Sequence, residues 1–486
     1  MAETGIGYFG DERLKKNGAL FVQRVSERQE VCIRKLGDDR SEQVRLRRFL
    51  HNEAVTAEEM VAHRAMLAAT AGQGRHVLAI QDTSEINYQA QSGRKQRLGT
   101  VGNGSDIGLF VHPVLAVDAH SEECLGLVDV QVWRRTTGKA KNYKSLPIEQ
   151  KESYRWLHGG TQAKAVLAQA AMVTVMDDRE GDTYEKWGRL PDAGTQLLTR
   201  ACRDRNLADG GRLFATLADF AEAHRYVFDL AARPGKRSAR QATMAVRFGC
   251  VGIRRPIHCS DAGAPDKIGL FAIEVRELEA PAGEEPILWR LLTTHRIESV
   301  ARALTVIGWY RLRWHIEQLF RTLKRQGLGI EQSVIEDGAA LEKLAVIALI
   351  GATITMQLVL ARAAADRGPS AADPVASTGP PASRVFDDTQ IKVLHALLER
   401  LQGRTLKQQN PYPPDSLAWA AWTIARLGGW TGYRTDKSTG PITTRNGLQR
   451  FYAVVDGYEM ARNVCSSWNR EGELSGRPAP LDNQDK

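Results

Sequence analysis

Four residues in the stretch YRLRWHIEQLFRTLK have types and spacing suited to chemistry on an anion: Tyr310, Arg313, Glu317 and Lys324. On a continuous α-helix they fall within about 60° of one another, because each residue advances about 100°. Leu312, Ile316, Leu319 and Leu323 fall on a largely opposed arc and form the expected core stripe. The polar face thus carries one acid among three groups that can grip an anion. A solvated helix surface could also look like this, so the face gains meaning only from partners elsewhere in the chain.

Two further acids supply those partners. The segment HVLAIQDTSEINY reads as a strand over Val77–Gln81 that delivers Asp82 at its end. MVTVMDD reads as another strand that ends at Asp177 and Asp178, the latter opening DREGD. Acids at strand ends often only cap loops. Two strand-end aspartates from neighbouring strands plus a glutamate from a packed helix can, however, hold two divalent ions. Such a pair activates a water or a sugar hydroxyl and stabilises the leaving oxygen when a phosphodiester is displaced. Hard oxygen ligands select Mg²⁺ or Mn²⁺ over zinc. The basic and aromatic groups around Glu317 would then hold phosphates beside the ions.

The elements that must position these residues follow from periodicity. Residues 1 to about 70 read as helical, with Arg45, Arg47 and Arg48 beside Phe49 and Leu50, a module suited to DNA. The pattern then turns to period two. Gly108–Asp118 and Leu125–Trp133 read as strands, Lys151–Ala171 as a helix, and Met172 onward as the fourth strand, which gives an α/β layer. From Thr183 to about Ser299 the chain is strand-rich, with hairpins around Lys236-Arg237 and a strand in ILWRLLTT. The Ala363–Arg384 segment is rich in Pro, Ala, Gly and Ser and reads as a linker. Beyond it, PPDSLAWAAWTIARLGGW is a helix with a Pro-Asp-Ser start and a Gly-Gly stop.

Composition sets the outer limits. The 486 residues allow two to four domains, and 43% hydrophobic with 25% charged residues describe a soluble globular protein. The net charge of +9 is compatible with nucleic-acid binding. Six scattered cysteines without a C-x-x-C pair argue for a reducing compartment and against structural zinc or a disulfide frame. The N-terminus lacks the apolar stretch of a signal peptide. The apolar run Leu344–Ala361 is long enough to span a membrane, but with Gly351, Thr353, Thr355 and Gln357 it reads as a buried core helix.

The motif Y-x2-R-x3-E-x6-K, together with LAIQDTSEINY and DREGD, resembles the insertion-sequence-four (IS-four) family of DDE transposases. FGDERL, RFLHNEAVTAEE and IARLGGW are similar to the family's terminal parts, so the resemblance runs along nearly the whole chain. It implies an α/β fold with an RNase H-like catalytic domain at 71–365, carrying a strand-rich insertion at about 183–300. A helical DNA-end-binding domain at 1–70, a linker at 366–385 and a helical dimerisation domain at 386–486 would flank it. It implies a catalytic, metal-binding triad of Asp82, Asp178 and Glu317 with two Mg²⁺ or Mn²⁺ ions, the D-R-E-x-D register favouring Asp178 over Asp177. Tyr310, Arg313 and Lys324 would clamp phosphates of the transposon end, and Arg321 and Arg200 match further phosphate-contacting positions. Trp289 matches a tryptophan that stacks on a flipped base and supports a hairpin intermediate.

The implied activity is cut-and-paste DNA transposition by a bacterial, cytoplasmic, nucleoid-associated homodimer acting on terminal inverted repeats and target DNA, with no membrane partner. Two alternatives stand beside it: a hydrolytic RNase H-like nuclease, and a non-catalytic DNA-binding inhibitor relative.

Overall fold

The computed structural model describes residues 5–135, 143, 146–230, 232, 237–324, 327–367, 379–433 and 439–475. Four helices come first: α1 (Glu12–Arg28), α2 (Ile33–Leu36), α3 (Arg40–His51) and α4 (Ala57–Gly72). Three begin at a side-chain cap. Asp11, Asp39 and Thr56 accept hydrogen bonds from the amides of Arg13, Glu42 and Glu59, which satisfies donors that the first helical turn leaves open. On α3, Leu46, Phe49 and Leu50 are buried while Arg45, Arg47 and Arg48 are exposed. With Arg34, Arg40, His51 and Arg94, two of these arginines (Arg47 and Arg48) line a cleft of about 590 Å³.

The chain then lays down β1 (His76–Gln81), β2 (Ser84–Asn87), β3 (Gly99–Val101), β4 (Asp106–Asp118), β5 (Cys124–Trp133), α5 (Tyr154–Val166), β6 (Met172–Asp177), α6 (Tyr184–Arg189) and β7 (Thr195–Arg200). β1 and β6 run parallel, as do β6 and β7, whereas β4 is antiparallel to β1 and β5 to β4. The central part of the sheet is therefore ordered β5-β4-β1-β6-β7. All of β1 beyond His76 is buried, as its unbroken apolar sequence requires of a strand covered on both faces.

The strand-rich segment adds α7 (Leu213–Asp219), β8 (His224–Leu230), β9 (Arg240–Arg254), β10 (Lys267–Leu278) and β11 (Leu288–Thr293). It continues the same sheet, since β11 pairs antiparallel with β7, with Leu291 opposite Arg200. The result is one mixed sheet of eleven strands. Lys236, half of the expected basic turn, lies outside the described residues.

The remaining elements are α8 (Val300–Arg311), α9 (Trp314–Leu323), α10 (Gly338–Arg367), α11 (Asp388–Leu401), α12 (Leu417–Leu427) and α13 (Pro441–Ser475). The apolar run Leu344–Ala361 lies inside α10, which is long and apolar enough to cross a membrane but is 94% buried over its most apolar window. It packs against α1, α9, α12, α13 and β5, so it is the axis of the helical layer. Most of the expected linker, residues 368–378, lies outside the described residues.

One expectation fails here. Tyr310–Lys324 is not one helix. The amides of Leu312, Arg313, His315 and Ile316 each bond a carbonyl three residues back, at 2.9–3.2 Å, and this tight turn separates α8 from α9. Such a turn advances about 120° per residue instead of 100°, so it shifts Tyr310 relative to Glu317. Tyr310 goes into the core, 5% exposed, while the Glu317 side chain stays 37% exposed.

Candidate active site

The two strand-end acids leave the sheet side by side. β1 and β6 are parallel neighbours with Ile80 opposite Met176, so the residues two further on, Asp82 and Asp178, emerge at the same edge. The pair Gln81 and Asp177 just before them faces inward. Asp177 is fully buried, forms an ion pair with Lys186, and accepts from Gln81 Nε2 at 2.6 Å and Thr199 Oγ1 at 2.9 Å. All its acceptor capacity is directed into the core. Asp178 is only partly buried and uses Oδ1 to cap a short turn through the amide of Glu180, at 2.8 Å. The ambiguity between the adjacent aspartates thus has a geometric answer: Asp178 is the one that can face a ligand.

Two glycines permit this closeness. A Cβ on Gly159 of α5 would lie 2.5 Å from Gln81 Oε1, and one on Gly181 would lie 2.4 Å from the Asp177 Cβ.

Glu317 reaches the same place from α9 through Arg313. The guanidinium donates to Asp82 Oδ2 at 2.9 Å and to Glu317 Oε1 at 3.0 Å. Burial, and then the charge of Asp178, push the Asp82 carboxyl up to about 7, against the pull of Arg313. Burial likewise pushes the Tyr310 hydroxyl up to about 12. Trp289 on β11 meets Tyr310 edge-on, with ring centroids 5.6 Å apart at 70°. Arg200 Nη2 donates to the carbonyl of Leu288 at 2.9 Å, and the charge of Asp178 and the Tyr310 hydroxyl act on it electrostatically. Asp82, Asp178, Glu317, Tyr310, Arg313, Trp289 and Arg200 therefore share one neighbourhood.

Two expected members stand apart. Lys324 pairs with Glu331 at 3.7 Å, and Arg321 lies over the Trp314 ring at 4.9 Å. Among the described residues no group of three or more His, Cys, Asp or Glu side chains is gathered closely enough to hold a metal ion. Arg313 accounts for the spacing, since its guanidinium bridges two of the three acids and supplies the positive charge between them. The donor chemistry, carboxylate oxygens from Asp82, Asp178 and Glu317, is of the kind a hard divalent ion takes.

The sequence reading missed residues that link the two aspartate segments: Gln81, Thr83, His112, Arg155 and Lys186. A usable signal existed in the paired Gln81-Asp82 and Asp177-Asp178 at equivalent strand ends.

Residues 120–354 match the transposase DDE domain family. That stretch is similar to a transposase DDE domain. The matched stretch spans Asp178, Arg200, Trp289 and the Tyr310–Lys324 motif and starts beyond Asp82. A solved structure, the cryo-EM synaptic complex of piggyBac transposase with hairpin DNA, is similar at a TM-score of 0.35 and 8% identity, over 69% of this chain. The chain spans about 63% of the length of that protein.

Proposed function

We propose that this protein is a DDE-type, cut-and-paste DNA transposase of the IS-four family, similar to the transposase of transposon Tn-five. The observation that carries the reading is that Arg313 joins Glu317 to Asp82, while Asp178 leaves the neighbouring parallel strand at the same edge as Asp82. The strand order β5-β4-β1-β6-β7 supports an RNase H-like centre, with β8–β11 as its insertion.

Asp82, Asp178 and Glu317 would hold Mg²⁺ or Mn²⁺, two per site. When bound, such ions lower the pKa of an attacking water and offset charge on the phosphate. Arg313 and Arg200 would hold the scissile phosphate, Arg313 exchanging its carboxylate partners for phosphate oxygens, and Lys324 would join them on leaving Glu331. Trp289, half-buried and with Tyr310 against it, would stack on an extruded base. The reaction runs as a nick at the transposon end, attack of the freed 3′-hydroxyl on the opposite strand to give a hairpin, hairpin opening, and joining to target DNA.

The exposed arginines of α3 suit the DNA end. The exposed Tyr458, Met460 and Val464 of α13 suit a partner subunit in a homodimer.

The test is cleavage of a linear DNA carrying the ends that flank the coding region, with Mg²⁺ or Mn²⁺, comparing wild type with Glu317→Gln on a denaturing gel. Nicks followed by hairpin-ended product from wild type alone support the transposase. Nicks without hairpins favour a hydrolytic nuclease. Binding without cleavage under either ion identifies a non-catalytic DNA-binding relative.

A further inference from the structure

Arg155, near the start of α5, touches both segments that carry the strand-end aspartates. Its Nε donates to Thr83 Oγ1 at 2.8 Å, one residue beyond Asp82. Its Nη2 donates to Glu180 Oε2 at 2.7 Å, two residues beyond Asp178. Its Nη1 donates to the carbonyl of Glu152 at 2.9 Å. The guanidinium also lies 5.6 Å from the Trp133 ring centroid and 5.5 Å from that of Trp156, and the side chain is only 14% exposed. A planar fork with donors in three directions is held in one orientation.

The contact with Thr83 continues inward as a chain of hydrogen bonds. Thr83 Oγ1 lies 2.9 Å from His112 Nδ1, and His112 Nε2 lies 3.0 Å from Gln81 Oε1. Gln81 Nε2 donates to Asp177 Oδ1, which the Lys186 ion pair anchors. Burial keeps His112 neutral, with its proton assigned to Nε2 by the acceptor it faces. Every link then runs one way: Arg155 donates to Thr83, Thr83 to His112, His112 to Gln81, and Gln81 to Asp177. A cation at one end and an anion at the other orient the chain, and each bond polarises the next.

We infer, resting on the reading of Asp82 and Asp178 as metal ligands, that Arg155 is a positioning residue that fixes the separation of these two carboxylates. Asp82 and Asp178 leave neighbouring parallel strands at the same edge, so two like charges stand side by side there and the loops that bear them must be tied from behind. Arg155 provides that tie through Thr83 and Glu180 and takes up no oxygen of either carboxylate. Lysine cannot replace it. An ammonium on a flexible stem has no fork to span Thr83 and Glu180 together and cannot stack between the two indoles in the same way.

The test is Mn²⁺ binding to the full-length, DNA-free protein, followed by loss of the free-ion electron paramagnetic resonance signal. Wild type is compared with Arg155→Lys, Thr83→Val and the double variant. Thermal melting verifies the fold, and gel shift in EDTA reports DNA binding. Each single variant should weaken Mn²⁺ binding about tenfold, and the double variant should lose no more than either single one, because both break the same link. DNA retention in EDTA should not change.

Equal Mn²⁺ affinity in wild type and both single variants overturns the inference. Independent losses that multiply to about a hundredfold in the double variant overturn it too, as does lost DNA retention with intact Mn²⁺ binding, which makes Arg155 a phosphate contact. Should Arg155→Lys fail to fold, Thr83→Val alone decides by the same tenfold criterion. A wild type that takes up no Mn²⁺ overturns the metal-ligand reading itself, and this inference with it.

Discussion

The adjacent aspartates at the end of β6 should respond to substitution in opposite ways. Asp177 lies in the core with Lys186, both side chains at 0% exposure. Asp177→Asn leaves a buried ammonium without its counter-charge, and Lys186→Met leaves a buried carboxylate without its own. Removing one partner of such a pair costs about 3–5 kcal/mol, because the remaining charge loses its compensation and stays out of water. Gln81 and Thr199 still bond Asp177 in Lys186→Met, which places that variant toward the lower end of the range. With a urea slope near 3 kcal/mol per molar, the unfolding midpoint should fall by about 1–2 M. The double variant Asp177→Asn with Lys186→Met removes both charges and should recover part of the loss. Asp178→Asn should stay within about 1 kcal/mol of wild type, since it is partly exposed and an amide oxygen can still accept from Glu180. It should nevertheless abolish Mn²⁺ uptake and strand cleavage. The assay pairs urea denaturation of the metal-free protein with a Mn²⁺ titration of each variant. The reasoning is refuted if Asp177→Asn folds with wild-type stability and loses Mn²⁺ while Asp178→Asn keeps it.

Two shorter predictions concern the neighbouring groups. The folded protein holds Asp82 at about 7, above the unfolded value near 3.9, so between those limits the folded state binds a proton that the unfolded chain has released. This group's contribution is then complete below about pH 4 and is lost as pH rises to 7, by roughly 1.4 kcal/mol per unit and about 4 kcal/mol in all. The stability of metal-free Asp82→Asn relative to wild type should therefore climb across that window and level off above it; a difference independent of pH sinks the assignment. Trp289→Ala should leave the first nick intact and reduce hairpin formation by the 1–3 kcal/mol typical of stacking on one base, while Trp289→Phe should retain most of it. Equal loss of nicking, hairpin formation and thermal stability in the alanine variant would make Trp289 a core residue instead.

Much of this arrangement could be read from the chain because the relevant strands are buried on both faces. HVLAIQ and MVTVMD are short apolar runs, each followed directly by an acid, and their boundaries lie within a residue of β1 and β6. The Leu344–Ala361 run could be read as core because an apolar helix interrupted by small and hydroxylated residues has little reason to face lipid. By contrast, β2 was missed. SEIN buries only Ile86 and has no alternation long enough to register. β7 was submerged in a generally strand-rich region, and its place beside β6 depends on parallel pairing across α6, a contact that local pattern cannot report. The helix expected over Lys151–Ala171 is shorter, Tyr154–Val166, and its boundary matters, because Arg155 works from the first turn.

The motif around Glu317 shows why spacing can be right while the inferred geometry is wrong. Tyr310, Arg313, Glu317 and Lys324 share one face only if the helix is continuous, and the tight turn at Leu312-Arg313 breaks that condition. Wheel projection carries no information about the turn, because neither proline nor glycine marks it. Its cause is tertiary. Trp309 must pack edge-on against His76, with centroids 4.6 Å apart, and Tyr310 must meet Trp289, while Ile316, Leu319 and Leu323 bury on the other side. A uniform helix has one phase for both sets of contacts, and tightening the turn changes the phase between them. The same change divides the labour of the motif. Tyr310 becomes a wall behind Trp289, Arg313 and Glu317 meet the strand-end acids, and Lys324 is carried out to Glu331. Lys324 can then act on DNA only by leaving that partner, whereas Arg313 already stands among the carboxylates where a phosphate would be held.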